Sequence, residues 1–322
     1  MKFITIRKNN FNREDPLKTS SSSLLKYAGF EEYEGFEDIL DNFRYVSGRR
    51  FHNSDTSKYS LPNDKTELDR LELSHGLLKH AFDGNYSSPM HDQLKDGITV
   101  LDIGCGTGKW TIENAVEYPQ STFVGIDMSP IFPTEDRPQN AGFIECNVLY
   151  GLPFPSNTFD FIHQRLLHAA FTEEQWMKVI KEIMRVLKPS GYVEFLELDG
   201  LNFNNSGPRT KEIMNKVKQF YMAKNICLNV PAKLKGFMDS TGRLGKVSIE
   251  NRILPVGSWG DTFGELMLEY ISMSFESYSV IMTRKFKFTE QEYRKLFSDF
   301  IQEVEKRQLS LTYTRFYAQK IH

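Results

Sequence analysis

The sequence predicts an α/β protein with a mostly parallel sheet and helices on both faces of that sheet. Between about residues 98 and 198, short runs of β-branched and aromatic residues alternate with stretches of helical periodicity, which is typical of βαβ units. An apolar segment at 99–103 leads directly into glycines at positions 104, 106 and 108. A strand that runs into a glycine-rich turn and then a helix is typical of the ligand-binding edge of such a sheet.

The alternation can be divided into individual elements. Two helices are delimited by proline, one at 109–118 before Pro119 and one at 172–187 before Pro189. Thr172 is suited to cap the second of these helices, whose first turn is acidic and whose last turn is basic, as the helix dipole favours. The parallel strands are predicted at 99–103, 122–126, 142–146, 159–163 and 192–198.

Outside this core the chain is predicted to be largely helical. Residues 1–42 form a polar, partly disordered tail with a short helix near 32–43, and residues 43–322 form one domain with its core at 95–200. A helix at 65–81 has Asp64 as its N-cap and Glu67 in the position of a capping box. The segment 201–322 is a C-terminal helical insert with closing strands; its helices are predicted at 208–226, 230–240, 261–283 and 289–307, and its strands at 246–254 and 310–317.

Composition excludes several classes of function. Hydrophobic residues make up 40% of the 322 residues and charged residues 25%, as in ordinary globular proteins. Lys and Arg total 40 against 42 Asp and Glu, so we expect no direct binding of nucleic acid. No apolar run has the length of a membrane span, and we expect no membrane association. The three cysteines lack metal-ligand spacing and indicate a reducing compartment, so no metal is expected.

The glycine turn is the main sign of a ligand. A backbone that passes close to a bound nucleoside cannot carry side chains, and it needs dihedral angles open mainly to glycine. The spacing here is G-x-G-x-G, whereas the dinucleotide fingerprint is G-x-G-x-x-G. Asp102, two residues before the first glycine, would repel a diphosphate and attract a cation. We therefore expect a positively charged nucleoside at this turn.

A second acidic residue fits the same ligand. Asp127 follows the strand at 122–126 and lies 19 residues after Gly108, close to the spacing at which an acidic residue accepts the hydroxyls of a ribose. The neighbouring Met128 is placed to pack on a base or to belong to the core, and the residues leave both readings open. Together, Asp127 and the glycine turn predict a nucleoside site at the carboxyl end of the sheet.

The run from Asp102 to Gly108 resembles motif I of the class I S-adenosylmethionine (SAM) methyltransferases. Further segments resemble the fungal LaeA-like/UMTA group: 59–71 before His75, 101–110, 127–131, 161–165 and 255–259. This resemblance implies a Rossmann-like class I methyltransferase fold, with a seven-stranded mostly parallel sheet and N-terminal helical additions. It also implies a cytoplasmic or nuclear location.

The resemblance extends to the site residues. In resembling enzymes an Asp after the third strand binds the adenine amino group; here the candidate is Asn147, with Val148 or a backbone group as the alternative. Tyr59 is the expected lid aromatic over the cofactor. His163 and His168 are the candidates for taking a proton from a methyl acceptor. The remaining expected contacts with SAM are Asp102, Gly104, Cys105, Gly106, Gly108, Trp110 and Gln164.

We therefore expect a SAM-dependent methyltransferase that acts on an unidentified small molecule or protein, with a link to the regulation of secondary metabolism. The alternative is a SAM-binding regulatory protein that works through protein partners with little catalysis. A nicotinamide-dependent oxidoreductase is a third hypothesis, which the glycine spacing disfavours. The sequence does not identify the acceptor.

Overall fold

A computed structural model describes residues 43–53, 60–133, 135–199 and 202–322. The predicted tail at 1–42 and the lid residue Tyr59 lie outside these ranges. Phe43, the last residue of the helix expected near 32–43, instead begins a strand. This strand, β1 (Phe43–Val46), pairs with β2 (Arg49–His52) as an antiparallel hairpin, which the sequence did not predict.

A seven-stranded sheet forms the centre of the fold, with the strand order β5-β4-β3-β6-β7-β9-β8. Along the sheet, every neighbouring pair from β5 to β7 is parallel. The strand β9 is antiparallel to both of its neighbours, β7 and β8. The sheet strands are β3 (Thr99–Ile103), β4 (Thr122–Asp127), β5 (Ala141–Glu145), β6 (Phe159–Arg165), β7 (Leu187–Leu198), β8 (Ser248–Pro255) and β9 (Ser310–Gln319).

This order positions the functional site. From β3 the chain proceeds to β4 and β5 on one side, and it then returns to place β6 on the other side of β3. The loops after β3 and β6 therefore diverge and leave a crevice at their carboxyl ends, which is where open α/β sheets bind ligands. The strand order and the antiparallel β9 confirm the predicted Rossmann-like sheet.

Helices cover both faces of the sheet. Thr172 caps α4 through a reciprocal bond with Gln175. Asp64 caps α1 as predicted, with its side chain accepting from the amide of Glu67. The helices are α1 (Lys65–Ala81), α2 (His91–Asp96), α3 (Lys109–Glu117), α4 (Glu173–Val186), α5 (Pro208–Met222), α6 (Val230–Asp239), α7 (Asp261–Lys285) and α8 (Glu290–Arg307).

The side chain of Glu67 has a different role from the expected capping box. It is 1% exposed and accepts two hydrogen bonds from Arg70, while Ser277 of α7 donates a third at 3.1 Å. Because a buried carboxylate must be paired to be stable, this cluster fixes α1 against α7. The first helix of the domain is thus held beside the sheet edge that carries the glycine turn.

Two buried clusters lie on opposite sides of the sheet. One packs α4 and α6 against it, with Trp176 and Phe237 among its members. The other packs α1, α5, α7 and α8 against it, with Tyr221 and Phe300 among its members. Within the described ranges, none of the helices combines the length and the apolar character needed to cross a bilayer.

Candidate cofactor site

A cavity of about 160 Å³ opens at the carboxyl ends of the parallel strands. Its floor is the glycine turn after β3, and its sides are the segments that follow β4, β5 and β6. The segment leading into α1 and one face of α1 cover it from above, with Pro62, Asn63, Leu71 and Ser74. The expectation that 59–75 lies beside the cofactor site therefore agrees with the position of its described part.

The glycine turn is fixed by backbone hydrogen bonds. The amides of Gly104 and Cys105 both donate to the carbonyl of Ile126, at 2.8 and 3.0 Å. The amide of Gly106 donates to Asp127 Oδ2 at 2.9 Å. Glycines 104, 106 and 108 all have φ between +55° and +73°, a region that side chains strain. The turn is thereby tied to β4 at two successive residues.

The three glycines differ in what surrounds them. A Cβ on Gly106 would meet nothing nearer than Leu71 at 3.7 Å, so this position faces open space. A Cβ on Gly104 would lie 3.0 Å from Leu167. Gly108 does not line the cavity, and a Cβ there would lie 2.6 Å from the ring of Phe143. Gly108 therefore has a packing role in this structure, and its expected contact with the cofactor stays a prediction.

This difference predicts distinct effects of alanine at two glycines. We expect Gly108→Ala to lower the free energy of unfolding by about 2–3 kcal/mol, because it overpacks Phe143 as well as straining the backbone. We expect Gly106→Ala to cost only about 1 kcal/mol of stability and to weaken ligand binding, because its methyl group enters the cavity. Urea unfolding and calorimetric titration of each variant measure the two effects. Equal losses of stability would contradict this division.

Asp127 ends β4, and each of its two carboxylate oxygens accepts a hydrogen bond from a backbone amide. Its Oδ1 accepts from the amide of Ser129 at 2.9 Å, and its Oδ2 accepts from the amide of Gly106. Burial raises the pKa of this carboxyl group, and the two amides oppose that shift. Each carboxylate oxygen has acceptor capacity beyond one bond, and the residue lines the cavity. The geometry suits acceptance of two adjacent hydroxyl groups.

The predicted base-binding residues also line the cavity. Met128, Asn147 and Val148 are neighbours along the wall formed after β4 and β5. Asn147 caps a short 3₁₀ turn at Val148–Tyr150, and its side-chain oxygen accepts from the amide of Leu149 at 3.0 Å. A side-chain amide oxygen of this kind can also accept from a ligand amine. Cys105 lines the floor of the same cavity.

Three residues expected at the site instead form a buried cluster behind it. Asp102 accepts from Thr111 at 2.7 Å and lies 2.9 Å from His163 Nδ1. The ring of Trp110 stacks on that of His163, with centroids 3.9 Å apart and planes parallel. Burial lowers the pKa of His163, and the neighbouring Asp102 opposes that shift. None of these three lines the cavity.

The positions of these residues follow from the geometry of the elements. Side chains alternate along a strand, so Asp102 and His163, which are register partners on β3 and β6, point to the same face. Trp110 is in the first turn of α3, which covers that face, and its Nε1 donates to the carbonyl of Asn85 at 2.8 Å. The three side chains therefore lie behind the cavity wall, and the expected contacts of Asp102 and Trp110 with a cofactor, and of His163 with an acceptor, stay predictions.

Gln164 and His168 complete the predicted set. Gln164 is fully buried and is absent from the cavity wall, and its expected contact with the cofactor stays a prediction. His168 has a side chain that is 18% exposed, with Nδ1 at 3.5 Å from Glu197 Oε2. It directly follows Leu167, which lines the cavity. Of the two candidate histidines, His168 is therefore the one next to the site.

Arg165 is a site residue that the sequence analysis did not select. It ends β6 and lines the cavity, where it and Asp127 are the two charged side chains in the described part of the wall. Its Nη2 donates to His75 Nδ1 at 2.9 Å, and burial lowers the pKa of its guanidinium. Its position at a strand end was visible in the sequence, but its neighbour His75 lies 90 residues away.

Burial and the neighbouring Arg165 together hold His75 in its neutral form. Burial first, and then the charge of Arg165, lower the pKa of His75 to about 4, although Glu113 Oε2 lies 2.9 Å from its Nε2. Because the unfolded chain binds a proton between pH 6.5 and 4 that the folded chain does not, stability is full above pH 6.5. It falls as the pH decreases, by up to about 3 kcal/mol from this residue.

The substitution His75→Gln should therefore reduce the pH dependence of unfolding in this window, measured by urea titration at half-unit steps. His52 has a pKa of about 4, again mainly because of burial, and it titrates in both proteins. The slope should consequently decrease by about one proton without vanishing. The exposed His80→Gln, on the same helix, is the matched control. An unchanged slope in His75→Gln would contradict the assignment.

The strand order and the glycine turn are those of a class I SAM-dependent methyltransferase domain, whose cofactor is SAM. Residues 100–191 match the family described as a methyltransferase domain. The chain is 35% identical over 156 residues to the secondary metabolism regulator laeA of Coprinopsis cinerea, covering 47% of this chain and 38% of that protein. In these respects the chain resembles the LaeA-like group of these methyltransferases.

Two further relatives carry methyltransferase names. The chain is 31% identical over 170 residues to methyltransferase pytC of Aspergillus terreus, covering 52% of this chain and 50% of that protein. It is 29% identical over 202 residues to methyltransferase str2 of Strobilurus tenacellus, covering 62% and 71%. The chain thus spans half or less of the length of laeA and pytC.

Proposed function

We propose that this chain transfers a methyl group from SAM to an acceptor that binds at the same cavity. The observation that carries the proposal is the pair of charges on the cavity wall, Asp127 and Arg165. SAM has a ribose with two hydroxyl groups and a methionine carboxylate. A carboxylate acceptor and a guanidinium on opposite sides of a glycine floor match these two groups.

The other wall residues fit the remaining parts of SAM. Met128 and Val148 offer apolar contact to a base, and Asn147 offers an acceptor for its amino group. The open space at Gly106 allows the ligand to approach the backbone. Arg165 would hold the carboxylate by a charge-assisted bond and thereby direct the methionine end toward the crevice between β3 and β6.

The acceptor is proposed to lie against the segment after β6. Leu166, Leu167, Ala170 and Phe171 form an apolar wall there, and Ser74 and Asn63 face it from the covering segment. SAM supplies an activated methyl group that a nucleophile takes directly, with the bonding electrons remaining on sulfur. The residues of the chain need only align the acceptor and exclude water. His168 is the proposed proton acceptor for a hydroxyl or amine.

The names of the relatives support a proposal about the biological setting. One relative is named a regulator of secondary metabolism and two are named methyltransferases. We propose a role in fungal secondary metabolism, in the cytoplasm or nucleus, with a small molecule or a protein as acceptor and with regulatory proteins as further partners. No particular residue in the described site favours a regulator without catalysis.

Calorimetric titration tests the cofactor assignment. We expect SAM to bind and NADH not to bind, and we expect Arg165→Met to weaken SAM by about 10–100-fold because it removes the cation for the carboxylate. The matched control is Arg185→Met, which removes a cation bonded to Glu182 on α4, away from the cavity. Binding of NADH without SAM would overturn the proposal.

Incubation with isotopically labelled SAM tests the reaction. Label transferred to proteins or metabolites of a fungal extract, fractionated by size, would identify the class of acceptor. The variant His168→Ala should lower transfer while leaving SAM affinity unchanged if the acceptor needs a base. Tight SAM binding with no transfer to any fraction would instead favour the regulatory alternative.

A further inference from the structure

The outermost strand of the sheet, β8, has an open edge. It runs for eight residues and pairs with β9 on one side. Nothing in the described part of the chain pairs with its other side. An edge of this length presents a row of backbone donors and acceptors, which proteins usually shorten, bulge or cover. The register with β9 is continuous from Ser248 to Pro255, so no bulge interrupts it.

One face of β8 is apolar and exposed. Ile249 is 46% exposed and Ile253 is 67% exposed. Asn251 lies between them on the same face, and its Oδ1 accepts from Thr314 of β9 at 2.8 Å. Glu250 and Arg252 lie on the opposite face, where they form an ion pair with each other. The strand therefore has an apolar face and a charged face.

The strand complements itself about Asn251. In each direction from Asn251 the first residue is charged and the second is an isoleucine, and the two charged residues have opposite signs. In an antiparallel pair of two β8 strands centred on Asn251, Ile249 of one copy faces Ile253 of the other. Glu250 of one copy likewise faces Arg252 of the other. Each of these pairs occurs twice because a two-fold axis relates the copies. Cross-strand apolar pairs and opposite charges both stabilise such a ladder.

We propose that β8 is the interface of a homodimer, in which two copies pair antiparallel about Asn251 and join their sheets edge to edge. A second copy is the occupant that the edge matches, because the sequence of the strand complements itself in both charge and apolarity. The cavity lies beside β3, β4 and β6, and three steps in the strand order separate β6 from β8. The dimer therefore leaves both sites open and does not depend on the proposed methyl transfer.

The size of the contact limits its strength. A stable interface buries roughly 1,200 Å² or more, and two strands of eight residues bury less than that. We therefore expect a reversible dimer with a dissociation constant of about 1–100 μM. Sedimentation velocity of the full chain between about 1 and 300 μM should show the shift from monomer to dimer.

Substitution of Ile253 tests whether the apolar face of β8 lies in the dimer interface. We expect Ile253→Lys to weaken the dimer at least tenfold, because it places two cations against the Ile249 side chains of the partner. Val116→Lys on α3 is the matched control, since Val116 is also 67% exposed. Its helix directly follows β3, which is far from β8 in the strand order. A chain that stays monomeric up to 300 μM, or a dimer equally sensitive to both substitutions, would overturn the proposal.

Single cysteines test the register without depending on affinity. Asn251 meets itself on the axis with its Cα atoms about 4.5–5.5 Å apart, within the range for a disulfide. Asn251→Cys should form a disulfide dimer under mild oxidation.

Ile249→Cys should not link to itself, because its copies are about 14 Å apart along the strands. It should link to Ile253→Cys when the two variants are mixed. The wild-type chain gives the background from its free cysteines. Absence of the Asn251→Cys dimer, or equal linking by Ile249→Cys alone, would contradict this register.

Discussion

Asp127→Ala is expected to weaken SAM binding by about 100-fold or more. The substitution removes both acceptors for the ribose hydroxyl groups, each worth about 1.5–3 kcal/mol when the acceptor is charged. It also leaves the amides of Gly106 and Ser129 without their partner, so the glycine turn loses its tie to the end of β4. Isothermal titration with SAM measures the effect directly and requires no knowledge of the acceptor.

Asp160→Ala is the matched control for this prediction. Asp160 bonds to Thr99 and Lys188 at the amino-terminal end of β6, the edge of the sheet opposite the cavity. We expect this variant to lower the melting temperature and to leave the SAM dissociation constant within about twofold of the wild type. Asp127→Asn should fall between, since it keeps one of the two acceptors. Unchanged SAM affinity in Asp127→Ala would contradict the placement of the ribose.

His163→Ala is expected to destabilise the fold by about 3–5 kcal/mol, because it removes a large buried ring and takes a hydrogen-bond partner from a buried carboxylate. The substitution takes the ring from beneath Trp110 and leaves Asp102, which is 3% exposed, with Thr111 as its remaining side-chain partner. Urea unfolding measures the loss. SAM affinity of the folded protein should be nearly unchanged, because His163 does not reach the cavity.

The comparison with His168→Ala separates a structural histidine from a chemical one. His168 is partly exposed and makes one long contact with Glu197, so its loss should cost less than about 1 kcal/mol. If His163→Ala were as stable as the wild type but failed to transfer methyl groups, the buried cluster would have to be reinterpreted as part of the reaction.

The sequence predicted the sheet well because its signals are local. Both β3 and α1 begin and end at the predicted residues, since glycine bounds the strand at its carboxyl end and Asp64 caps the helix. The position of Asp127 at the cavity was predicted for a similar reason. A strand end is recognisable in the chain, and the carboxyl ends of parallel strands converge on one edge of the sheet.

Other features depend on contacts between distant segments. The β1–β2 hairpin has no alternation of apolar and polar residues in Arg49–His52, so its pattern did not predict a strand. The role of Arg165 depends on its contact with His75. The burial of Trp110 against the sheet was not predicted, because the face of α3 that packs there is decided by tertiary contacts, which the glycine motif alone does not contain.

Phe143 has a consequence for how glycine motifs are compared between chains. Its ring occupies the space beside both Gly108 and Gly125, where a Cβ would lie 2.6 and 2.7 Å away. The third glycine of the motif is therefore favoured both by its left-handed backbone and by an aromatic residue on β5. A related chain with a small side chain at that strand position would be left with the backbone strain alone, which costs about 1 kcal/mol for alanine, and could carry alanine as its third glycine-loop residue. The two positions should thus vary together, and a search that demands three glycines would miss such a chain.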